Sequence, residues 1–320
     1  MTFTLDTHWV WDFWLADEGE QFHLYYLHAP RSLGDQHLRH RNAVVGHATS
    51  TDLRVWTDRG AVLEPGSPGD FDETATWTGS VLQGPDGRWR MFYTGSRFLS
   101  PESTSNVETI GFAVSDDLHE WVKVPGRVVA ADSRWYETLG TSAWPEEAWR
   151  DPWVFADPAG DGWHMLVTAR SNAGDELDRG VVGHAVSRDL EHWSVQPSLS
   201  EAGAGYKHVE VPQLVTIDDR HLLLFSCDSP ALAGVRAGTI GGIWWVEADS
   251  ATGPFDLGTA ALLSAETLYS GRAIQGRNGE WMLLAFENAT DNGGFAGTLT
   301  DPLPLGWSSD GSTLLIGEPA

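Results

Sequence analysis

The segment GHATSTDLRVW, residues 46–56, decides the fold because its pattern recurs along the chain. Gly-x-Ala-x-Ser-x-Asp-Leu-x-x-Trp returns as GFAVSDDLHEW at 111–121 and GHAVSRDLEHW at 183–193, and IWWVEADSATGPF at 243–255 is a relaxed version. Recurrence of one segment is typical of proteins built from repeated supersecondary units. We therefore expect each copy to occupy the same position in a different unit.

A second pattern, a turn followed by an alternating strand, occurs five times. The copies are DEGEQFHLYYLHA (17–29), PDGRWRMFYTGS (85–96), GDGWHMLVTAR (160–170), DDRHLLLFSCD (218–228) and RNGEWMLLAFEN (277–288). One more short strand precedes each copy, in WDFWLAD, WTGSVLQ, RDPWVFAD, VEVPQLVTI and YSGRAIQ. Asp-Gly and Asn-Gly turns beside period-two apolar residues predict β-hairpins.

These units predict an all-β fold, a five-bladed β-propeller with four-stranded antiparallel blades. Each unit spans roughly 64 residues, enough for four strands of about six residues and their loops. No segment shows sustained helical periodicity. Such units around a central channel are typical of propellers, and an irregular pair of β-sandwiches is the alternative. Residues 1–320 are expected to form one propeller domain, with a turn at DNGGFAG (291–297).

Composition narrows the range of partners. The net charge of −25 and the pI near 4.6 argue against nucleic acid and anionic membranes. The single cysteine, Cys227, excludes an intrachain disulfide, and no apolar stretch approaches the ~18 residues of a membrane span. The N-terminus lacks the pattern of a secretion signal, so a cytoplasmic location is predicted. HLRHRN (37–42) is interpreted as a polar loop; neither a metal nor a cofactor is expected.

Three of the five units carry a carboxylate at the start of the first strand, at positions that we expect to be equivalent: Asp12, Asp151 and Glu210. The first strand of a propeller blade lines the channel, so these side chains are expected to converge on the axis. Carboxylates that share a pocket of low dielectric shift apart in pKa, so that one holds a proton while another is ionised. Glycoside cleavage requires such a pair. Taken together, the three predict a catalytic site; taken singly, each also fits a turn residue, a surface charge or a cap.

Tryptophans surround the first of these acids. In HWVWDFWLAD (8–17), Trp9, Trp11 and Trp14 flank Asp12, and Trp77 starts the first strand of the second unit. Aromatic rings offer flat apolar faces to the C–H surfaces of a sugar, although most of the 17 tryptophans must belong to the core. The expected partner is a small carbohydrate.

Five short motifs resemble those of glycoside hydrolase families 32 and 68. WRDPWVF (149–155) resembles the Arg-Asp-Pro motif of both families, and VEVPQL (209–214) resembles the Glu-Cys-Pro-Asp-Leu segment of family 32. WTGS (77–80) is similar to Trp-Ser-Gly-Ser of both families, and VWDFW (10–14) to Val-Trp-Asp-Ser-Trp of family 68. SGRAI (270–274) is similar to a fifth-blade segment of family 32. Their order and spacing match across nearly the whole chain.

The sequence also departs from both families. It lacks the Trp-x-Asn-Asp-Pro-Asn-Gly motif of family 32 and the Glu-x-Glu-Arg motif of family 68. No β-sandwich is expected after the propeller, where family 32 proteins have one. The resemblance therefore implies a compact relative of these families.

The resemblance implies retaining cleavage of β-fructofuranosides, such as sucrose or fructo-oligosaccharides, with water or another sugar as the acceptor. By position, Asp12 would be the nucleophile, and Glu210 would be the acid that protonates the leaving group and then the base that activates water. Asp151 would hold fructose hydroxyls and stabilise the oxocarbenium-like transition state. The substrate-binding residues would be Trp11, Trp77, Thr78, Arg150 and His208, with Thr78 supporting Asp12.

Two other functions remain open at this stage. One is an inverting furanosidase or xylosidase resembling family 43, for which the two carboxyl groups would lie about 6.5–9.5 Å apart instead of about 5–5.5 Å. The other is a carbohydrate-binding propeller without catalytic activity. Retention of all three carboxylates favours an enzyme.

Overall fold

The computed structural model describes residues 2–126, 128–290 and 294–317, so positions 291–293 of the predicted turn lie outside the described residues. The strands form five sheets that are the blades I to V of a β-propeller, which confirms the predicted fold. Within each blade the strands pair antiparallel in sequence order, apart from two additions. Strand β9 pairs parallel with β7, and the short strand β20 pairs with β19 beside β21.

The strand bounds are as follows. Blade I contains β1 (His8–Asp17), β2 (Phe22–Pro30), β3 (Val44–Ser50) and β4 (Thr57–Leu63); blade II contains β5 (Ala75–Gln83), β6 (Trp89–Phe98), β7 (Asn106–Ser115), β8 (Val122–Lys123) and β9 (Glu146–Glu147). Blade III contains β10 (Trp149–Ala156), β11 (Trp163–Arg170), β12 (Gly180–Ser187) and β13 (Trp193–Gln196); blade IV contains β14 (Glu210–Ile217), β15 (Arg220–Cys227), β16 (Gly242–Ala248) and β17 (Ala261–Ala265). Blade V contains β18 (Leu268–Gln275), β19 (Trp281–Glu287), β20 (Thr298–Leu299), β21 (Leu303–Trp307) and β22 (Leu314–Ile316). Short 3₁₀ helices cover Arg31–Leu33, Gln36–Asn42, Ser229–Ala231, Gly234–Arg236 and Leu257–Thr259.

The recurring Gly-x-Ala-x-Ser-x-Asp-Leu pattern forms the third strand of a blade and the turn after it. Its glycine leaves room for a side chain from another strand or loop: a Cβ at Gly46 would overlap the ring of Tyr26, and one at Gly111 would overlap the ring of Phe71. The leucine of the pattern is buried. In blade I it is Leu53, whose φ of 62° is an unusual backbone conformation for a bulky side chain. The pattern recurs because one tight turn is built several times.

The aspartate of the pattern holds that turn. Asp52 Oδ1 accepts hydrogen bonds from the backbone N–H groups of Arg54 at 2.9 Å and Val55 at 2.8 Å. The equivalent Asp117 and Asp189 accept the same pair of bonds in blades II and III. Side-chain capping of this kind satisfies backbone donors that the strand ladder leaves free.

The hydrophobic core lies between the blades. Successive residues of a middle strand face opposite neighbours: Leu166 of β11 packs against blade IV, whereas Met165 and Val167 pack against blade II. Both faces of such a strand are therefore buried, which explains its near-continuous apolar sequence.

Blade V closes against blade I through backbone and arginine contacts. The N–H of Leu299 donates to the carbonyl of Phe3 at 2.9 Å, and the N–H of Val10 donates to the carbonyl of Gly297 at 2.9 Å. Arg272 of β18 is buried and donates to the carbonyl of Phe13 at 3.2 Å. Closure of the ring brings the first strands of all blades together around the axis.

Candidate active site

Each first strand carries a β-bulge at the same level of the propeller. The register with the second strand shifts after residues Trp11, Trp77, Arg150, Glu210 and Tyr269. The residues that follow, and that open the bulges, are Asp12, Thr78, Asp151, Val211 and Ser270. A bulge bends the strand and redirects its side chains, which is why bulges are frequent at active sites.

The bulges correct one expectation from the sequence. Asp12 and Asp151 occupy the bulge itself, but Glu210 lies one residue earlier, at the position that Arg150 holds in blade III. The three acids are therefore not at equivalent positions in their blades. Spacing between the repeats could not reveal a shift of a single residue, because the register within each hairpin is a property of the folded sheet.

The axial pocket brings together seven of the eight residues predicted for the site. It encloses about 110 Å³. Its lining includes Asp12, Asp151, Glu210, Trp11, Trp77, Thr78 and Arg150. The eighth residue, His208, lies beside Glu210, with Nε2 at 3.5 Å from Oε2 of the carboxylate. The predicted convergence of the carboxylates is thus present in the structure.

Hydroxyl groups hold Asp12. The Thr78 Oγ1 donates to Oδ2 of Asp12 at 2.8 Å, and the Ser270 Oγ donates to Oδ1 at 2.5 Å. Burial and the neighbouring charges of Asp151 and Glu210 raise the pKa of Asp12 to about 6, against the effect of the two hydroxyl groups. At neutral pH the carboxylate is therefore mostly ionised and free of a cationic partner within salt-bridge distance among the described residues.

Cationic and phenolic groups hold Glu210. Arg150 Nη2 donates to Oε1 at 2.7 Å, and the hydroxyl of Tyr269 donates to Oε2 at 2.5 Å. Although burial opposes the change, His208, Arg150 and Tyr269 lower the pKa of Glu210 to about 2. Before substrate binds, Glu210 is therefore an anion, and a general acid at this position needs a way to gain a proton.

Asp151 is the most enclosed of the three acids. It adopts a φ of 58°, and its Oδ2 accepts hydrogen bonds from Thr168 Oγ1 at 2.7 Å and from the N–H of Val211 at 3.0 Å. Burial raises the pKa of Asp151 although Arg150 lies nearby. The strained backbone and the two donors fix the carboxylate, which leaves Oδ1 for a ligand.

The site contains residues that the sequence did not suggest. Ser270 contacts Asp12, Tyr269 contacts Glu210, and Glu108 binds Arg150 from the third strand of blade II. His40 lines the pocket from HLRHRN (37–42), for which the sequence predicts a polar loop and which forms part of the 3₁₀ helix Gln36–Asn42. The only signal for Ser270 was the similarity of SGRAI to a family 32 segment, which gave Ser270 no role. The signal that could have marked Glu108 is a single acid among the apolar residues of NVETIGFAVS (106–115).

Two of the four tryptophans that the sequence predicts as sugar-binding surfaces, Trp9 and Trp14, do not line the pocket. Trp14 is buried and stacks on Tyr25 at 6.0 Å between ring centroids, and Trp9 packs in the same core. Trp11 and Trp77 do line the pocket, with the ring of His40 between them at 6.3 and 6.2 Å.

The described part of the chain holds no helix long and apolar enough to cross a bilayer. Within that same part, no three His, Cys, Asp or Glu side chains are grouped so that they could hold a metal ion.

Comparison with known proteins identifies the family. The profile of the glycosyl hydrolases family 32 N-terminal domain matches residues 14–315. The chain belongs to glycosyl hydrolase family 32. Among relatives of this family 32 chain, raffinose invertase of Escherichia coli is 27% identical over 239 residues, which cover 70% of the chain and 44% of the relative. Beta-fructofuranosidase 1 of Zea mays is 38% identical over 82 residues, or 26% of the chain and 12% of the relative.

The family 32 chain thus spans less than half the length of either relative. Its expected organisation as one domain over 1–320 stays a prediction. Among solved structures, the inulosucrase from Halalkalicoccus jeotgali bound to kestose superimposes with a TM-score of 0.80 at 26% identity, covering 98% of this chain and 87% of that one. The Microbacterium saccharophilum K-1 beta-fructofuranosidase catalytic domain gives 0.78 at 17% identity, covering 100% and 84%, and shows a shared fold.

Proposed function

We propose that the chain cleaves β-fructofuranosides by a retaining double displacement. The observation that carries the proposal is the pocket that Asp12, Asp151 and Glu210 line together, in a chain of family 32. Two carboxyl groups in different environments suit a mechanism in which one attacks the anomeric carbon and the other donates and then accepts a proton.

In the first step, a carboxylate oxygen of Asp12 attacks the anomeric carbon of the fructosyl group. Glu210 donates a proton to the glycosidic oxygen, the carbon–oxygen bond breaks, and the leaving sugar departs as an alcohol. In the second step, Glu210 takes a proton from water, which attacks the anomeric carbon and releases Asp12. Two steps of this kind preserve the configuration at that carbon.

The other residues are assigned by their contacts. Thr78 and Ser270 orient the Asp12 carboxylate through their hydroxyl groups. Asp151, with one oxygen free of the internal hydrogen bonds, would accept bonds from fructose hydroxyls, and Trp11 and Trp77 would pack against the ring.

The family 32 match favours this function over an inverting furanosidase of the family 43 type. Similarity to an inulosucrase at 26% identity also favours a second candidate, transfer of the fructosyl group to another sugar. Transfer uses the same intermediate on Asp12 and differs only in the acceptor, so both activities are consistent with one site.

The test is incubation with sucrose, followed by NMR of the first fructose released. We expect β-fructofuranose before mutarotation, and fructosylated sucrose at high sucrose concentration if transfer competes with water. An α anomer would indicate inversion. Cleavage of nitrophenyl arabinofuranoside, but not of sucrose, would support the family 43 alternative, and saturable sugar binding with no turnover would support a binding protein.

A further inference from the structure

Arg150 is surrounded by more acids than its single charge can neutralise. The guanidinium is buried and lies within salt-bridge distance of four carboxylates: Glu108, Glu146, Asp151 and Glu210. Its Nη1 donates to Glu108 at 3.0 and 3.3 Å, whereas its Nη2 donates to Glu210 at 2.7 Å. Arg150 therefore bridges two carboxylates through different nitrogens.

Glu108 is fully enclosed at this position. Its Oε2 also accepts a bond from the N–H of Trp149 at 3.2 Å, and its Oε1 accepts one from Nδ2 of Asn106 at 3.2 Å. Two buried anions cannot share one cation without a large desolvation cost, so one of the pair should be neutral. Burial raises the pKa of Glu108 to about 8 despite the contact with Arg150, and Glu146 and Asp151 contribute in the same direction.

We propose that Glu108 is a positioning residue that acts through Arg150, sharing one proton with Glu210. Before substrate binds, Glu108 holds the proton and Glu210 is the anion that pairs with Arg150. When the proton moves to Glu210, Glu108 becomes the anion, and Arg150 keeps a full counter-ion. The inference rests on the proposed function, because it explains how Glu210 becomes a general acid.

The exchange conserves charge and protons. Glu108 loses one proton to water in the pocket, which both carboxyls line, and Glu210 gains one. The total charge of the Glu108–Arg150–Glu210 group is unchanged, so the exchange avoids leaving an unpaired charge in the buried site. After Glu210 protonates the leaving group, it is again an anion beside Arg150.

The pH dependence of kcat/KM for sucrose tests this arrangement, because that parameter reports the groups of the free enzyme. We expect the wild-type rate to rise as Asp12 ionises near pH 6 and to fall as the shared proton is lost near pH 8. In Glu108→Gln there is no proton to share. Its descending limb should therefore move from near pH 8 to below pH 6, because the remaining acid, Glu210, has a pKa lowered to about 2.

Two variants separate this effect from general damage. Glu108→Asp keeps a carboxyl beside Arg150 and should restore a descending limb above pH 7. Glu137→Gln alters another buried glutamate, which contacts Arg170 at 3.4 Å and Arg179 at 3.1 Å, and should leave both limbs in place. If the descending limb of Glu108→Gln lies at the same pH as that of the wild type, the proposal is overturned.

A titration without substrate distinguishes failure of this proposal from failure of the proposed function. With ¹³C-labelled glutamate side chains, the signal that is absent from Glu108→Gln belongs to Glu108. We expect it to titrate near pH 8 in the wild type and at least one unit lower in Glu210→Gln, which imitates protonated Glu210. Titration at the same pH in both proteins would refute the sharing of a proton, even if sucrose is cleaved.

Discussion

Asp12 and Glu210 line the same pocket, but the walls behind them differ in charge. Asp12 is held by the hydroxyl groups of Thr78 and Ser270, and its pKa is raised to about 6. Glu210 is held by Arg150 and by the phenol of Tyr269, and its pKa is lowered to about 2. Neutral donors orient a carboxylate without compensating its charge, whereas a buried guanidinium stabilises the charge itself.

The difference supports the proposed assignment of Asp12 as the nucleophile. An anion without a cationic partner keeps more of its nucleophilic character, so the hydroxyl-lined wall suits attack on carbon. The cationic wall suits a group that must return to its charged form after each proton transfer. The predictions below alter either Asp12 and its hydroxyl donors or the cationic partner of Glu210, one at a time.

The largest effect is expected from removing Asp12, the carboxylate that the hydroxyl groups of Thr78 and Ser270 hold. Asp12→Asn removes the carboxylate that we propose attacks the anomeric carbon, and kcat/KM for sucrose should fall roughly 10⁴-fold or more, since loss of a nucleophile removes the covalent step. Steady-state kinetics measure the loss. A variant that retains a tenth of wild-type activity would show that Asp12 is not the nucleophile.

The same variant should be more stable than the wild type above pH 7. A folded-state pKa raised from 3.8 to about 6 means that ionised Asp12 destabilises the fold, by about 1–3 kcal/mol. In the wild type, the contribution of protonated Asp12 to the free energy of unfolding is fully present below pH 4 and is lost as the pH rises through 6. Urea unfolding at pH 4 and pH 8 should therefore show a gain for Asp12→Asn at pH 8 only.

A smaller effect is expected at the cationic wall. Arg150→Lys keeps the positive charge but cannot contact Glu108 and Glu210 through separate nitrogens of one rigid plane. We expect kcat/KM for sucrose to fall about 100-fold with little change in folding, as thermal unfolding would verify. Arg170→Lys, in the other buried arginine cluster, is the matched control and should lower kcat/KM by less than about threefold. Equal losses in the two variants would mean that the cationic wall has no special part in catalysis.

The smallest effect is expected from a single hydroxyl group. Ser270→Ala removes a donor to Asp12, so the pKa of Asp12 should rise above 6. The ascending limb of the kcat/KM profile should then move to higher pH by about 0.5 to 1 unit, with only a few-fold loss at the optimum. A shift of the ascending limb to lower pH would contradict the assignment of that limb to Asp12.

Part of this site could be predicted from the sequence. Asp12, Asp151 and Glu210 could be recognised because each lies near the start of a repeated strand, and Thr78 because its motif is similar to one in both families. Ser270 was named only within a motif, and Glu108 was missed. Ser270 bonds to a residue 258 positions away, and Glu108 bonds to one 42 positions away. No local pattern encodes a contact that exists only after the ring of blades has closed.

By itself, the sequence determined the five-bladed architecture and the family, because turns and alternating strands depend on neighbours a few residues apart. Tertiary structure decided the one-residue offset of Glu210, the opposite environments of Asp12 and Glu210, and the place of each tryptophan. Those features depend on bulges and on the charges of other blades, and burial in a shared pocket gives such charges their effect.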